Sequence, residues 1–339
     1  MADTITVRFS VVSFAPVGHR LAVVGSCVEL GAWSVDAAQV MEPHLGGGRL
    51  ASEPDFHAVD VALPAETARS GGVEYKFIEL PPQGSGAGAG VRWEQLDDVK
   101  RNRHLVVDEN SEMMAGEVFL LPVERFAEGS GSESDHTARF YQGVKERCEI
   151  SVRKVTSQLF VGSCPRQLSH LDYLKGLGVT TVVNFQTEED CKRNCVPGIG
   201  MEDEPMAIVQ QYDSRGVEYI WLPTYDMSTD GRAQMLPHAS FLFGSLQQRG
   251  HVIYSHCNAG VGRSVAAVCG YLVFSLGMSE RQMQHVVARA RPVAFFDFDA
   301  LRRARPHYSA MFGKVVSSEH EEEKVRREEA VSMLAPLRA

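Results

Sequence analysis

The chain has 339 residues, 44% of them hydrophobic and 23% charged, with a formal net charge of −9. That length sets an expectation of two domains, and the composition is ordinary for a soluble globular protein. The negative balance argues against a nucleic-acid partner, which selects a basic stripe; an anionic ligand would have to be held locally, so a neutral polymer carrying sparse phosphates suits the surface better than a polyanion. Taken in order, Met1 to Phe9 has no basic region followed by a sustained apolar run, and so does not read as a signal peptide. No transmembrane segment is expected either, because charges, Gly or Pro interrupt every apolar stretch. Seven cysteines, an odd number, argue against a disulfide framework and for a cytoplasmic chain. Cys191 and Cys195 stand four apart with no second pair and read as free thiols rather than zinc ligands.

From Met1 to about Pro122 the sequence alternates in short runs broken by turns, which predicts an antiparallel β-sandwich. The strand candidates are Thr4 to Phe14, Arg20 to Gly25, Phe56 to Leu63, Val73 to Leu80 and Glu117 to Leu121, with Gln83 to Gly90 as a loose hairpin tip. Val24-Gly25-Ser26, Glu29-Leu30-Gly31-Ala32-Trp33, Tyr75-Lys76-Phe77, Trp93-Glu94 and Asn102-Arg103 together resemble the starch-binding carbohydrate module of family 20. The resemblance implies that Trp33 and Trp93 stack on glucose rings while Lys76 and Asn102 bond sugar hydroxyls. Physically this is sensible, since a large amphipathic ring covers the apolar face of a sugar and polar groups fix its orientation. The competing reading makes both tryptophans core residues of the sandwich. Phe56 stands where the resemblance would place another tryptophan.

Glu124 to His136 is small, polar and without periodicity, so residues 124–148 read as a linker between a module at 1–123 and a second domain at 149–315. In that domain strands are predicted at Gln158 to Val161, Val179 to Asn184 and Val217 to Leu222. Helices are predicted at Pro165 to Leu177, Glu280 to Arg289 and Phe298 to Phe312. The alternation defines an α/β domain with a central, mostly parallel sheet, which holds its ligands at the C-terminal ends of the strands. Residues 316–339 form a charged tail, with Glu322/Arg326 and Glu323/Arg327 at helical spacing, read as solvated.

The chemistry concentrates in His256 to Ser264, between an apolar run at His251 to Ser255 suited to a strand and another at Ser264 to Leu276 suited to a buried helix. A loop entering a helix N-terminus presents unpaired N–H groups and the positive end of the dipole. The glycines at 260 and 262 let Asn258, Ala259, Gly260, Val261 and Gly262 curl around an anion. Arg263 adds a fork matched to two phosphate oxygens. Those charges favour a thiolate at Cys257, a nucleophile at neutral pH. His256 would orient the loop, and the Ser264 hydroxyl would stabilise the thiolate as leaving group from a phosphocysteine. A poor alkoxide leaving group also requires a proton. Asp226, in the loop after a predicted strand, is the candidate acid, with Asp230 as rival and helix capping as the alternative role for Asp226.

Cys, five residues, Arg resembles the Cys-dependent tyrosine and dual-specificity phosphatases, and Leu159 to Ser163 resembles their opening strand. With the module in front, the loop string, Val161 to Gln167 and Asp226 to Thr229, the whole chain resembles the glycogen phosphatases of animals. The resemblance implies hydrolysis of phosphate monoesters on glycogen or another phosphorylated α-glucan, in the cytoplasm at glycogen particles, with no metal or other cofactor. It also implies a homodimer and a ubiquitin ligase, malin, as partners. The rival readings are a phosphoprotein phosphatase that the module targets to glycogen, and a glycogen-bound scaffold. The charged extension after Lys314 is longer than the resemblance leads one to expect.

Overall fold

The computed structural model describes residues 3–44, 50, 53–84, 90–96, 102–107, 118–129, 132–194, 208–313, 328–329, 332 and 334. The chain divides into two compact units, Met1–Leu45 with Glu53–His136 and Ala335–Ala339, and Gly46–Ser52 with Thr137–Leu334.

The first unit holds strands β1 (Thr4–Ser13), β2 (Arg20–Gly25), β3 (Gln39–Val40), β4 (Glu42–His44), β5 (Asp55–Pro64), β6 (Glu74–Leu80), β7 (Arg92–Trp93), β8 (Arg103–His104) and β9 (Val118–Arg125), with a short helix α1 (Ala65–Arg69). They form two sheets, β4-β5-β1-β9 and β3-β2-β6-β7, with β8 paired to β6. Every second residue of β1 (Ile5, Val7, Phe9, Val11) joins Leu21, Val23, Tyr75 and Phe77 in one core, as strand alternation requires. The antiparallel expectation holds for the paired strands of this unit except β1 and β9, which run parallel. The four two- or three-residue strands β3, β4, β7 and β8 were too short to leave a period in the sequence. Residues 85–89 of the expected hairpin tip lie outside the described residues.

The segment expected as a linker holds regular structure, and the boundary between the two units, after His136, falls inside it. β9 continues through Arg125, and helix α2 occupies Ser132–Glu146. Phe140 and Val144, one helical turn apart, are fully buried with Ala259, Val261 and Val293. Two apolar side chains on one stripe suffice to dock a helix whose average composition is polar.

In the second unit β10 (Val152–Thr156), β11 (Leu159–Gly162), β12 (Thr181–Asn184), β13 (Glu218–Trp221) and β14 (Ile253–His256) make a sheet of order β10-β11-β14-β12-β13. All its pairs are parallel except β10 with β11. The helices are α3 (Leu168–Gly176), α4 (Glu188–Asn194), α5 (Ile208–Asp213), α6 (Thr229–Gln248), α7 (Arg263–Gly270), α8 (Glu280–Ala290) and α9 (Phe298–Phe312). Leu171, Leu174 and Tyr212 from α3 and α5 pack on Phe160, Val182 and Tyr254 of the sheet. Strand β14, buried throughout, is central, so its C-terminal end opens where a parallel sheet binds its ligands. Among the described residues, no helix is long and apolar enough to cross a membrane. In the tail, Glu329 accepts hydrogen bonds from the Ser157 N–H at 2.6 Å and hydroxyl at 2.7 Å, so that part is anchored rather than free in solvent. Cys195 and the pairs Glu322/Arg326 and Glu323/Arg327 lie outside the described residues.

Candidate active site

Strand β14 delivers His256, the loop follows, and α7 begins at Arg263. Cys257 is buried, with its Sγ 3.3 Å from the Ser264 hydroxyl. Burial opposes ionisation, but the Arg263 guanidinium and the Ser264 hydroxyl and N–H outweigh it and hold the thiol below its ordinary range. His256, fully buried and stacked on Tyr254, is pushed down to about 3 by desolvation. It is therefore a neutral ring, its Nδ1 3.3 Å from the Cys257 carbonyl, and it adds no positive charge to the thiolate.

Arg263 has no solvent exposure. Its Nη1 donates to Asp190 Oδ2 at 2.6 Å, to Thr224 O at 2.9 Å and to Phe185 O at 3.3 Å. Its Nη2 donates to Asp226 Oδ2 at 2.9 Å, while its buried Nε–H meets no protein acceptor. One edge of the fork is thus fixed by the protein, and the other is held only by a half-exposed carboxylate. Asp226 also accepts from the Asn258 amide at 3.5 Å, and its Oδ1 accepts the Met227 N–H at 3.0 Å with Met227 in the left-handed region at φ 53°. The capping role belongs to Ser228, whose hydroxyl accepts the Gly231 N–H at 2.9 Å. Asp230, the rival acid, lies in the first turn of α6 and pairs with Arg303 at 2.6 Å.

Asp190 is one of the site's residues that the sequence did not single out. It binds Arg263 through Oδ2 and the Asn258 amide through Oδ1 at 2.9 Å. Burial raises its pKa, but Asn258 and Arg263 more than reverse this, so it stays a carboxylate. Asn258 in turn accepts from Gln186 Nε2 at 2.8 Å and Asn194 Nδ2 at 3.2 Å, and Asn194 accepts the Tyr141 hydroxyl from α2. One signal in the sequence marks Asp190: Thr187-x-x-Asp190 forms a reciprocal cap, Thr187 Oγ1 to Asp190 Oδ2 at 3.0 Å and Asp190 N–H to Thr187 Oγ1 at 3.2 Å, directly after a strand.

The loop rests on the end of β11. Gly260 has φ +69°, and a Cβ there would lie 2.1 Å from the Gly162 carbonyl oxygen; one on Gly162 would lie 2.1 Å from the Ser151 carbonyl oxygen. Both contacts are with backbone, so neither position accommodates a side chain without moving the chain.

In the first unit Trp33 and Trp93, both half-buried, pack against Ala22, Val24, Ile78 and Leu80 on the outer face of the second sheet, away from the sandwich core. Lys76 pairs with Val24 in register and shares that face with Ile78. Asn102 donates to Glu74 Oε2 at 2.9 Å, at the end of the same row. The four residues therefore lie on one face. Trp33 sits in the left-handed region at φ 65°, its N–H held by the Gly25 carbonyl at 2.8 Å, an uncommon backbone for an aromatic residue. Glu94, next to Trp93, is buried and receives the Phe77 N–H and bonds from both Nε and Nη2 of Arg103, which fixes this edge beside Asn102. Phe56 is buried on β5, in the other sheet.

Two family models match the chain: the dual specificity phosphatase catalytic domain over residues 159–303 and the starch binding domain over residues 4–115. The fold and the loop geometry agree with both, and define a Cys-dependent dual-specificity phosphatase carrying a starch binding domain. Laforin of Mus musculus is 38% identical over 333 residues, which is 92% of this chain and 98% of that one. The chain belongs to the laforin family. The amyloplastic phosphoglucan phosphatase DSP4 of Castanea sativa is 25% identical over 46% of this chain and 40% of its own. Among solved structures, PTPMT1 aligns with 47% of this chain and 95% of its own at 20% identity and a TM-score of 0.38.

Proposed function

We propose that the chain is a glucan phosphatase which binds glycogen or a related α-glucan through Trp33, Trp93, Lys76 and Asn102 and hydrolyses its phosphate monoesters through a phosphocysteine. The observation that carries the reading is the Arg263 fork: one edge locked by Asp190 and backbone, the other edge held only by Asp226, beside a thiol in contact with the Ser264 hydroxyl. The printed names of the relatives, laforin and a phosphoglucan phosphatase, support the glucan as substrate.

When a phosphate monoester enters, its oxygens take the Nε and Nη2 edge of Arg263 and the loop amides, and Asp226 turns off the fork. The Cys257 thiolate attacks phosphorus, and the phosphorus–oxygen bond to the sugar breaks. Asp226, having taken up a proton from solvent on leaving the fork, gives it to the leaving oxygen and becomes a carboxylate again as the phosphocysteine forms. Water then gives a proton to that carboxylate as it attacks phosphorus, and the sulfur–phosphorus bond breaks back to the thiolate, which the Ser264 hydroxyl stabilises. Positive charge at the transition state comes from the fork and the amides. A homodimer, a complex with the ubiquitin ligase malin and a cytoplasmic location at glycogen particles are proposed on the family resemblance.

The test is inorganic phosphate released from phosphorylated glycogen or amylopectin, measured beside a panel of phosphopeptides. Release from glucan is expected to dominate. Faster release from peptides would replace this reading with that of a glycogen-targeted phosphoprotein phosphatase, and no release from either would leave a scaffold.

A further inference from the structure

The phosphate loop is shaped by what holds its carbonyls. Asn258 O accepts the Cys164 N–H at 3.1 Å and Arg166 Nη2 at 3.4 Å. Ala259 O accepts Arg291 Nη2 at 2.7 Å, and Gly260 O accepts Arg291 Nε. Val261 O accepts the Phe295 N–H at 2.9 Å. A trans peptide is planar, with its C=O and the following N–H on opposite sides. Fixing the carbonyls of Ala259 and Gly260 therefore fixes the directions of the Gly260 and Val261 N–H groups.

We propose that Arg291 is a positioning residue of the phosphate cradle: one guanidinium holds two successive loop carbonyls from behind, so that the Gly260 and Val261 N–H groups are aimed at the phosphate before it arrives. Arg291 lies outside the loop and touches no substrate; it acts through the peptide planes. Its third nitrogen donates to the Ser151 hydroxyl at 3.0 Å, and its guanidinium carbon sits 5.3 Å from the Phe140 ring centroid. It has no solvent exposure. Burial pushes its pKa down to about 10, which still leaves it charged at neutral pH, and it lies close enough to Cys257 for the two charges to interact. A planar fork can hold two carbonyls and a hydroxyl at once, and the point charge of a lysine cannot. Arg166 plays a lesser part at the preceding plane, through a longer bond.

The inference rests on the loop being a phosphate site and is independent of which polymer carries the phosphate. Its test uses the full chain, orthovanadate as competitive inhibitor of aryl-phosphate hydrolysis, and alkylation of Cys257 by iodoacetamide as a function of pH. Arg291→Lys retains the charge and loses the double grip. Its vanadate inhibition constant should rise about tenfold or more, since charge-assisted bonds that set the amides are lost, while the alkylation profile stays close to wild type. An unchanged inhibition constant in a variant that melts cooperatively would overturn the proposal. So would a shifted alkylation profile with unchanged vanadate binding, which would make Arg291 a source of charge alone. Should Arg291→Lys not fold, Ser151→Ala decides. It loosens the guanidinium without adding volume, and weaker vanadate binding with unchanged alkylation supports the inference, whereas wild-type binding overturns it. Failure of the wild-type chain to bind vanadate would instead sink the phosphate site itself.

Discussion

The proposed sugar face and the proposed phosphate loop are built by opposite means. The four residues proposed to meet glucan come from positions as far apart as Trp33 and Asn102, and a sheet collects their partly exposed side chains onto one surface. The loop is nine consecutive residues, all buried except Gly262, and each carbonyl from Asn258 to Gly262 accepts a hydrogen bond. A flat neutral polymer is bound by area, which accumulates side chain by side chain. A phosphate dianion must be met by donors already aimed and desolvated, because reorientation at the moment of reaction would cost what the binding supplies. The first kind of site should therefore fail by degrees, and the second at once.

The largest effect expected is that of Cys257→Ser, which removes the nucleophile and should reduce turnover of every phosphate ester by about a thousandfold or more while leaving glucan binding intact in a pull-down. Retention of a substantial rate would remove the covalent mechanism. Asp226→Asn should come next and should divide substrates by leaving group. Loss on a glucan phosphate should be of order a hundredfold or more, and loss on an activated aryl phosphate far smaller. Equal losses would make Asp226 a structural partner of Arg263 only.

Trp33→Ala should act on the other side of the comparison and more weakly. Glucan affinity and phosphate release from glycogen should fall together by roughly tenfold, through a lowered effective concentration, with aryl-phosphate hydrolysis near wild type. If the ratio of glucan to aryl rates does not move although sugar binding is lost, the two sites do not cooperate. The smallest effect is one of acid stability. His256 and His170 are held neutral chiefly by burial, at about 3 and about 4 against an ordinary 6.5. The unfolded chain takes up these protons first, so stability present above about pH 6.5 is lost as pH falls toward those values. Both residues belong to the second unit. Between pH 7 and 6 its unfolding temperature should drop by about a few degrees, and phosphatase activity should be lost before glucan binding; a flat melting temperature across that range would show that the rings are not held neutral.

What the sequence made readable follows the same division. The strand, loop and helix around Cys257 were legible because their parts are contiguous, and the expected runs at His251 to Ser255 and Ser264 to Leu276 overlap the observed Ile253–His256 and Arg263–Gly270, each missing one residue at the loop side. The outward face with Trp33 and Trp93 was legible only through its resemblance to a known module, since alternation alone does not say which side of a sheet meets solvent. Asp190, Arg166 and Arg291 were not legible as site residues. Asp190 sits in the run Glu188-Glu189-Asp190, which resembles any solvated first turn of a helix, and Arg291 reaches a loop carbonyl 31 positions away in the chain. Helix α2 was missed because its docking depends on two side chains, Phe140 and Val144, in an otherwise polar stretch.

The close approach of Gly260 to Gly162 reaches beyond this chain's own chemistry. A single-codon change of Gly162 to alanine would push a methyl group into the Ser151 carbonyl and disturb the strand on which the loop rests. Such a lineage would still display the nucleophile, the fork, the acid and the tryptophans in full. Silent and working copies of this enzyme could therefore stand side by side among descendants with the same signature string, told apart by one residue nearly a hundred positions upstream of the cysteine.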